Sequence, residues 1–370
     1  MTTRRLLIAL CLLAAWTVSS AAPTHPQPRK KPRAATSPTA GPAYATRKDV
    51  MQAANEIALR RKLKRASVRR AMAQARFIPQ IAKLILPPTV GVAKNWQLYR
   101  SRFIEPIRIN AGVRFWLENR ATLERAEKET GVPAEIIVGI IGVETIYGQH
   151  MGNYRIIDAL ATLSFDFPPS HPRAAERGPF FRAELEEFLN LTLRSGIDPL
   201  SPRGSYAGAM GLPQFMPSSW NRFAIDYDGD GKIDLFRSPA DAIGSVANYF
   251  KAFNWQAGLP THYPVSFDTG RLELDALLTP DILPTFSVAS FIAKGAVLEG
   301  AALQHKGPLA LVELQNGDAP PSYLAGTDNF YVITRYNWSS YYAMAVIELG
   351  QAVNAALNPI KPPTEPKSPD

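Results

Sequence analysis

The run Ala134-Glu-Ile-Ile-Val-Gly-Ile-Ile-Gly-Val-Glu-Thr-Ile-Tyr147 is apolar on nearly every side of a helical wheel. A helix of that kind has no face to give to water, so the rest of the chain has to close around it. Pro133 stands where helices open, and Gly148 stands where they stop. Beyond the helix's first turn Glu144 is its one charged residue. A carboxylate in such surroundings either finds hydrogen-bond donors or keeps its proton, because desolvation disfavours the anion. A carboxyl with a raised pKa is a general acid at neutral pH. A buried glutamate that merely ties down a neighbouring loop fits the same pattern, and the helix alone does not separate the two readings.

The remainder of the chain reads as a mainly α protein of the α+β kind. Helical periodicity runs through Val50–Lys83, Phe115–Thr130, Arg182–Ser195, Ala240–Phe253 and Tyr341–Leu357. Residues 262–335 change character: Pro, Gly and Thr increase, and the runs Leu309–Leu314 and Phe330–Thr334 have strand-like composition. The expected organisation is an export segment at 1–21, a flexible tether at 22–48 and a helical N-terminal part at 49–130. A helical core at 131–261, a β-rich insertion at 262–335, a C-terminal helix at 336–357 returning to the core and a loose tail at 358–370 follow.

The ends bear on where the protein works. Arg4 and Arg5 precede an apolar run from Leu6 to Val18 and then Ser19, Ser20, Ala21 and Ala22, the plan of a secretory signal peptide cleaved after Ala21. Cys11, the single cysteine, lies inside that run behind Leu10, which is larger than lipoprotein processing favours. A soluble exported protein is therefore expected over a lipid-anchored one, with at most peripheral membrane association. Removal of the segment removes thiol catalysis, disulfides and cysteine metal sites together. The formal charge of +9 does not mark a nucleic-acid binder: eight of the 41 basic residues fall in 1–48, where no acid occurs, leaving 33 against 32 acidic residues.

Three long motifs in order add a resemblance. Gly-Val-Glu-Thr-Ile-Tyr-Gly at 142–148, Gly-Ser-Tyr-Ala-Gly-Ala-Met-Gly-Leu-Pro-Gln-Phe-Met-Pro-Ser-Ser at 204–219 and Asn-Phe-Tyr-Val-Ile-Thr-Arg-Tyr-Asn at 329–337 resemble the lytic murein transglycosylases of the B type. The resemblance spans roughly residues 90–357. It implies a lysozyme-like helical core and cleavage of the β-1,4 bond between N-acetylmuramic acid and N-acetylglucosamine in peptidoglycan, with Glu144 as sole acid and base and a 1,6-anhydro product. A hydrolytic muramidase and an inactive, calcium-stabilised peptidoglycan-binding protein are the alternatives. No cofactor is needed for the chemistry. The resemblance further implies that Ser205 and Gln214 lie near the scissile bond and that Tyr99, Tyr249, Tyr336 and Asn337 line the cleft. Arg177 and Phe180 fall where peptide-stem contacts are expected, although Pro168-Pro-Ser-His-Pro172 departs from the pattern and Phe180 replaces a tyrosine. The expected partner is the glycan strand, with wall-synthesis enzymes as possible protein partners of a monomer.

Asp226-Tyr-Asp228-Gly-Asp230-Gly-Lys232-Ile-Asp234 matches the first nine positions of an EF-hand loop. The twelfth position is Arg237 in place of the usual glutamate. The resemblance supplies a lengthened loop, 226–241, whose last acid is Asp241, with Lys232 contributing its backbone carbonyl. A structural calcium site is expected from Asp226, Asp228, Asp230, Lys232 and Asp241.

Overall fold

The structure is a computed structural model and describes residues 40–87 and 93–358. The export segment with Cys11, the tether up to residue 39 and the tail after Asn358 lie outside the described residues. Within them the chain forms two compact units, one from 93–151 and 210–358, the other from 40–87 and 152–209.

This division departs from the chain-order one expected from the sequence. Residues 49–87 leave 93–130 and join 152–209, because side chains on the helix Ile156–Phe165 satisfy their backbone. Asp158 accepts from the Arg76 amide at 2.9 Å, and the Thr162 hydroxyl accepts from the Ile78 amide at 3.0 Å. Buried backbone donors need such partners, and a helical register read from the sequence does not reveal which side chains supply them. The same unit holds the helices Lys48–Arg61, Arg65–Gln74, Pro79–Leu84 and Ala174–Arg194, with a short antiparallel pair, Tyr154–Arg155 against Arg203–Gly204.

In the other unit the expected helix over 115–130 is two helices, Pro106–Glu118 and Arg120–Thr130. Asn119 breaks them apart by donating from Nδ2 to the Phe115 carbonyl at 2.8 Å, which offers the chain an alternative to the next helical turn. Gly131 then takes the left-handed cap, φ 72°. The helices Trp96–Arg100, Ala134–Thr145, Pro217–Phe223, Pro239–Ala252 and Ser340–Leu357 belong to the same helical body.

The insertion is β-rich as expected: a three-stranded antiparallel sheet in the order His262–Pro264, Ala319–Gly326, Ala310–Asn316, and a two-stranded piece pairing Ser266–Phe267 with Ala296–Val297. It has its own core of Leu277, Phe291, Leu298, Leu309, Leu311 and Ala325. Phe330–Thr334 is a correction, since it belongs to the helix Asp328–Thr334. The Thr327 hydroxyl caps that helix by accepting from the Asn329 amide, and Phe330, Val332 and Ile333 are all buried, so an apolar run imitates a strand.

Candidate active site

The helix Ala134–Thr145 buries ten of its twelve residues. Its glycines set how closely a second helix can approach. A Cβ built on Gly139 would lie 2.2 Å from the Val346 carbonyl oxygen, and one on Gly350 would lie 2.1 Å from the Glu135 oxygen. Ala134–Thr145 and Ser340–Leu357 therefore cross with their backbones in contact, as only glycine permits. That crossing brings the Tyr342 hydroxyl to Glu144, where it donates to Oε1 at 2.5 Å.

Glu144 is half-buried. Protein nevertheless surrounds its carboxyl closely enough for desolvation to push the pKa up to about 7, against the lowering effect of the Tyr342 hydrogen bond. Among the described residues no charged neighbour contributes to that shift.

Just after the acid the helix ends in two successive left-handed residues, Ile146 at φ 51° and Tyr147 at φ 56°. Single left-handed residues without glycine cost about 1 kcal/mol each, so the surroundings have to hold the pair in place. The Tyr147 ring packs on Phe115 with centroids 5.1 Å apart, and its hydroxyl enters the gap left by Gly112 and Gly142. Thr145 does the rest: its hydroxyl donates to the Leu212 carbonyl at 2.8 Å and accepts from the Gly148 amide.

The Leu212 contact joins the second motif to the acid. There Gln214, at φ 50°, folds its side-chain amide onto the carbonyls of Gly211 and Met151, at 2.9 and 3.2 Å. Tyr336 donates to the Pro213 carbonyl at 2.5 Å and lies nearly parallel to Tyr342, 13° off and 6.4 Å away. Glu144, Tyr342 and Tyr336 are thus brought together, with Gln214 next in the chain to the Pro213 carbonyl that Tyr336 holds. Tyr99 packs against Trp96, Phe103 and Tyr341 beside them. Asn337 is half-buried, and its Oδ1 is enclosed without a hydrogen-bond partner among the described residues.

Tyr249 corrects the expectation of a cleft residue. It is 6% exposed, its hydroxyl donates to the Arg335 carbonyl at 2.6 Å, and Phe215, Phe223, Phe253 and Tyr336 surround the ring. It supports Tyr336 from behind and has no face to offer a sugar. Three expected residues belong to the other unit. Ser205 accepts from the Ala209 amide at 2.9 Å, Arg177 lies over the Phe181 ring, and Phe180 meets that ring edge-on.

Carboxylate oxygens of Asp226, Asp228 and Asp230 converge within 4.8 Å of one another. Three carboxylates without sulfur, those of Asp228 and Asp230 exposed and that of Asp226 half-buried, fit a hard cation such as calcium. Asp241 stands outside that cluster. It is buried, and its two oxygens accept from the amides of Tyr227 and Asp234, each at 2.8 Å. Its role here is to tie both ends of the loop to the helix that follows. Lys232 donates its amide to Asp230.

Tyr342 is the residue that sequence reasoning missed. It sits within the helix expected over 341–357, among Tyr341, Ala343 and Met344, where a tyrosine reads as core. A signal was available: that helix is apolar almost throughout, so a phenol inside it needs a partner.

A family model described as transglycosylase SLT domain matches residues 46–351. Membrane-bound lytic murein transglycosylase B of Escherichia coli K12 is 39% identical over 325 residues, 85% of either chain. Among solved structures, the lytic transglycosylase SltB1 of Pseudomonas aeruginosa matches with 42% identity and a TM-score of 0.78, covering 85% of this chain and all of that one. The Escherichia coli lytic transglycosylase SLT35 in complex with calcium matches with 39% identity and a TM-score of 0.75, covering 86% of this chain and 97% of that one.

Proposed function

We propose, from the premise that this chain belongs to the transglycosylase SLT-domain family and is a lytic transglycosylase of peptidoglycan, that Glu144 performs both proton transfers of the reaction. The observation that carries this reading is the enclosed carboxyl with its pKa near 7, held by a neutral tyrosine and by no charged partner. A usual glycosidase sets two carboxylates across the bond. Among the described residues no second carboxylate acts on Glu144, and the substrate can supply that part.

Protonated Glu144 gives its proton to the oxygen between N-acetylmuramic acid and N-acetylglucosamine as the bond to C1 breaks. The 2-acetamido oxygen of the muramic sugar closes on C1 and carries the positive charge. The Glu144 carboxylate then takes the proton of the C6 hydroxyl of the same sugar, the C6 oxygen displaces the acetamido oxygen, and a 1,6-anhydro ring forms. Glu144 ends protonated and no water is consumed. The nucleophile is part of the substrate, so proximity replaces an activated water. Tyr342 fixes the carboxyl throughout and meets the anion that exists between the two transfers.

Asp226, Asp228 and Asp230, with the Lys232 carbonyl, are assigned a structural calcium ion; the convergence of the three carboxylates supports this reading, and the solved relative SLT35 is a complex with calcium. The ion orders the loop and takes no part in cleavage. Residues 1–21 are assigned to export, which delivers the enzyme to the periplasm where its substrate lies. No helix among the described residues is long and apolar enough to cross a membrane.

The test is digestion of purified sacculi followed by muropeptide masses. Anhydro products are lighter than reducing ends by one water, which separates this reaction from that of a muramidase. Glu144→Gln should release nothing; equal release by both proteins refutes the assignment.

A further inference from the structure

Arg222 and Arg335 are not used by the chemistry above, and each guanidinium lies over an aromatic ring. The Arg335 guanidinium lies over three rings, 5.3 Å from the centre of Phe253, 5.7 Å from Tyr331 and 6.0 Å from Trp338. Arg222 lies 4.9 Å over Phe223. Phe223 and Phe253 are themselves neighbours, with centroids 5.5 Å apart, and both cations act on the Tyr249 phenol between them. Among the described residues no carboxylate oxygen lies within 4.0 Å of either guanidinium, although twelve such pairs occur elsewhere. Arg335 places one N–H on the Tyr331 hydroxyl, at 3.2 Å, and keeps the rest of its fork.

A guanidinium against an aromatic face is fixed in plane with its N–H edge turned outward, the arrangement that receives a planar oxyanion through two parallel hydrogen bonds. The rings beside it are apolar walls suited to aliphatic or sugar surface. We propose that Arg222 and Arg335 form a carboxylate-binding pair for the acidic peptides carried by the glycan strand. Arg335 immediately precedes Tyr336, whose ring lies beside Tyr342, the residue that donates to Glu144, so the patch adjoins the site through one step of chain. The inference rests on the transglycosylase reading, since it takes the substrate class from it.

The test compares glycan strands that carry their peptides with strands stripped of them by an amidase. Binding is measured on Glu144→Gln protein, which leaves the strands intact, and KM and kcat are measured on the active enzyme. Arg335→Gln and Arg222→Gln should each weaken binding of the peptide-bearing strand about tenfold and raise its KM in proportion. Binding of the stripped strand and kcat for both should be unchanged. Equal loss on both strands, or no loss on either, overturns the carboxylate assignment. Failure of the wild-type enzyme to cleave either strand while the binding difference persists refutes the catalytic reading and leaves this one standing.

Discussion

Glu144→Gln should stabilise the protein, and by an amount that depends on pH in a calculable way. The folded carboxyl titrates at about 7, against 4.5 for the ordinary group. The folded state thus holds the proton over a window in which the unfolded chain has released it. Below pH 4.5 both states are protonated and the group costs nothing electrostatically. Between 4.5 and 7 the folded state binds more protons, so raising the pH favours unfolding, by about 1.4 kcal/mol for each pH unit. Above 7 both are ionised and the penalty is constant at about 3 kcal/mol, an upper figure because the side chain is only half-buried. Glutamine preserves the shape, and its carbonyl can accept from Tyr342, yet it does not titrate. The variant should therefore match the wild type near pH 4, gain steadily through pH 7 and level off by pH 8 at no more than about 3 kcal/mol above it. Urea denaturation at several pH values reads this directly, with the slope of each transition checking that the unfolded states are alike. A difference that is the same at pH 4 and pH 8 would refute the reasoning, because packing changes produce a constant offset and only a displaced titration produces this slope.

Turnover should fall on the alkaline side with a midpoint near 7, as the acid loses its proton; Tyr342→Phe should move that limb upward, since the lost hydrogen bond favoured the anion, and a limb that stays in place in the kcat–pH profile would contradict the assignment. Gly139→Ala sets a methyl 2.2 Å from the Val346 carbonyl oxygen, and should cost about 3 kcal/mol in denaturant and lower kcat by parting Glu144 from Tyr342; a variant of wild-type stability would show the crossing to be compliant. Added calcium should raise the melting temperature, chelator should reverse the rise, and Asp226→Asn should abolish it while leaving sacculus digestion measurable.

The acid's helix, the β-rich insertion and the acidic loop were legible in the sequence because each is a local pattern: an all-round apolar run, a change in composition, a spacing of oxygens. What escaped depends on contacts distant in the chain. Asn119 breaks a helix by reaching a carbonyl that periodicity cannot see. The helix Asp328–Thr334 reads as a strand because its apolar residues are buried on more than one side. Asp241 resembles a metal ligand in spacing, yet its oxygens are occupied by the Tyr227 and Asp234 amides. Tyr249 and Tyr342 exchange roles between expectation and structure, and for a single reason. A tyrosine's surroundings depend on helix crossings, and those are set here by Gly139 and Gly350, whose meaning shows only once the partner helix is known.

The choice of a tyrosine to hold the acid follows from the two tasks proposed here for the carboxyl. An arginine or lysine at the same distance would lower the pKa by one to three units and leave a permanent anion, useful as a base and useless as an acid. An apolar neighbour would leave the proton in place, but the anion formed on proton transfer would then have no donor to meet it. Tyr342 stays neutral, since burial and the nearby Glu144 raise its own pKa well above the usual value. Its single hydrogen bond goes to Oε1, which leaves Oε2 to carry the proton that is transferred. Glu144 also lies in the last turn of its helix, where the unpaired carbonyls make the negative end of the helix dipole and further disfavour the anion. Burial and helix position thus keep the proton on, one hydroxyl makes its departure affordable, and the balance falls near neutrality, where one carboxyl can give a proton and take one back.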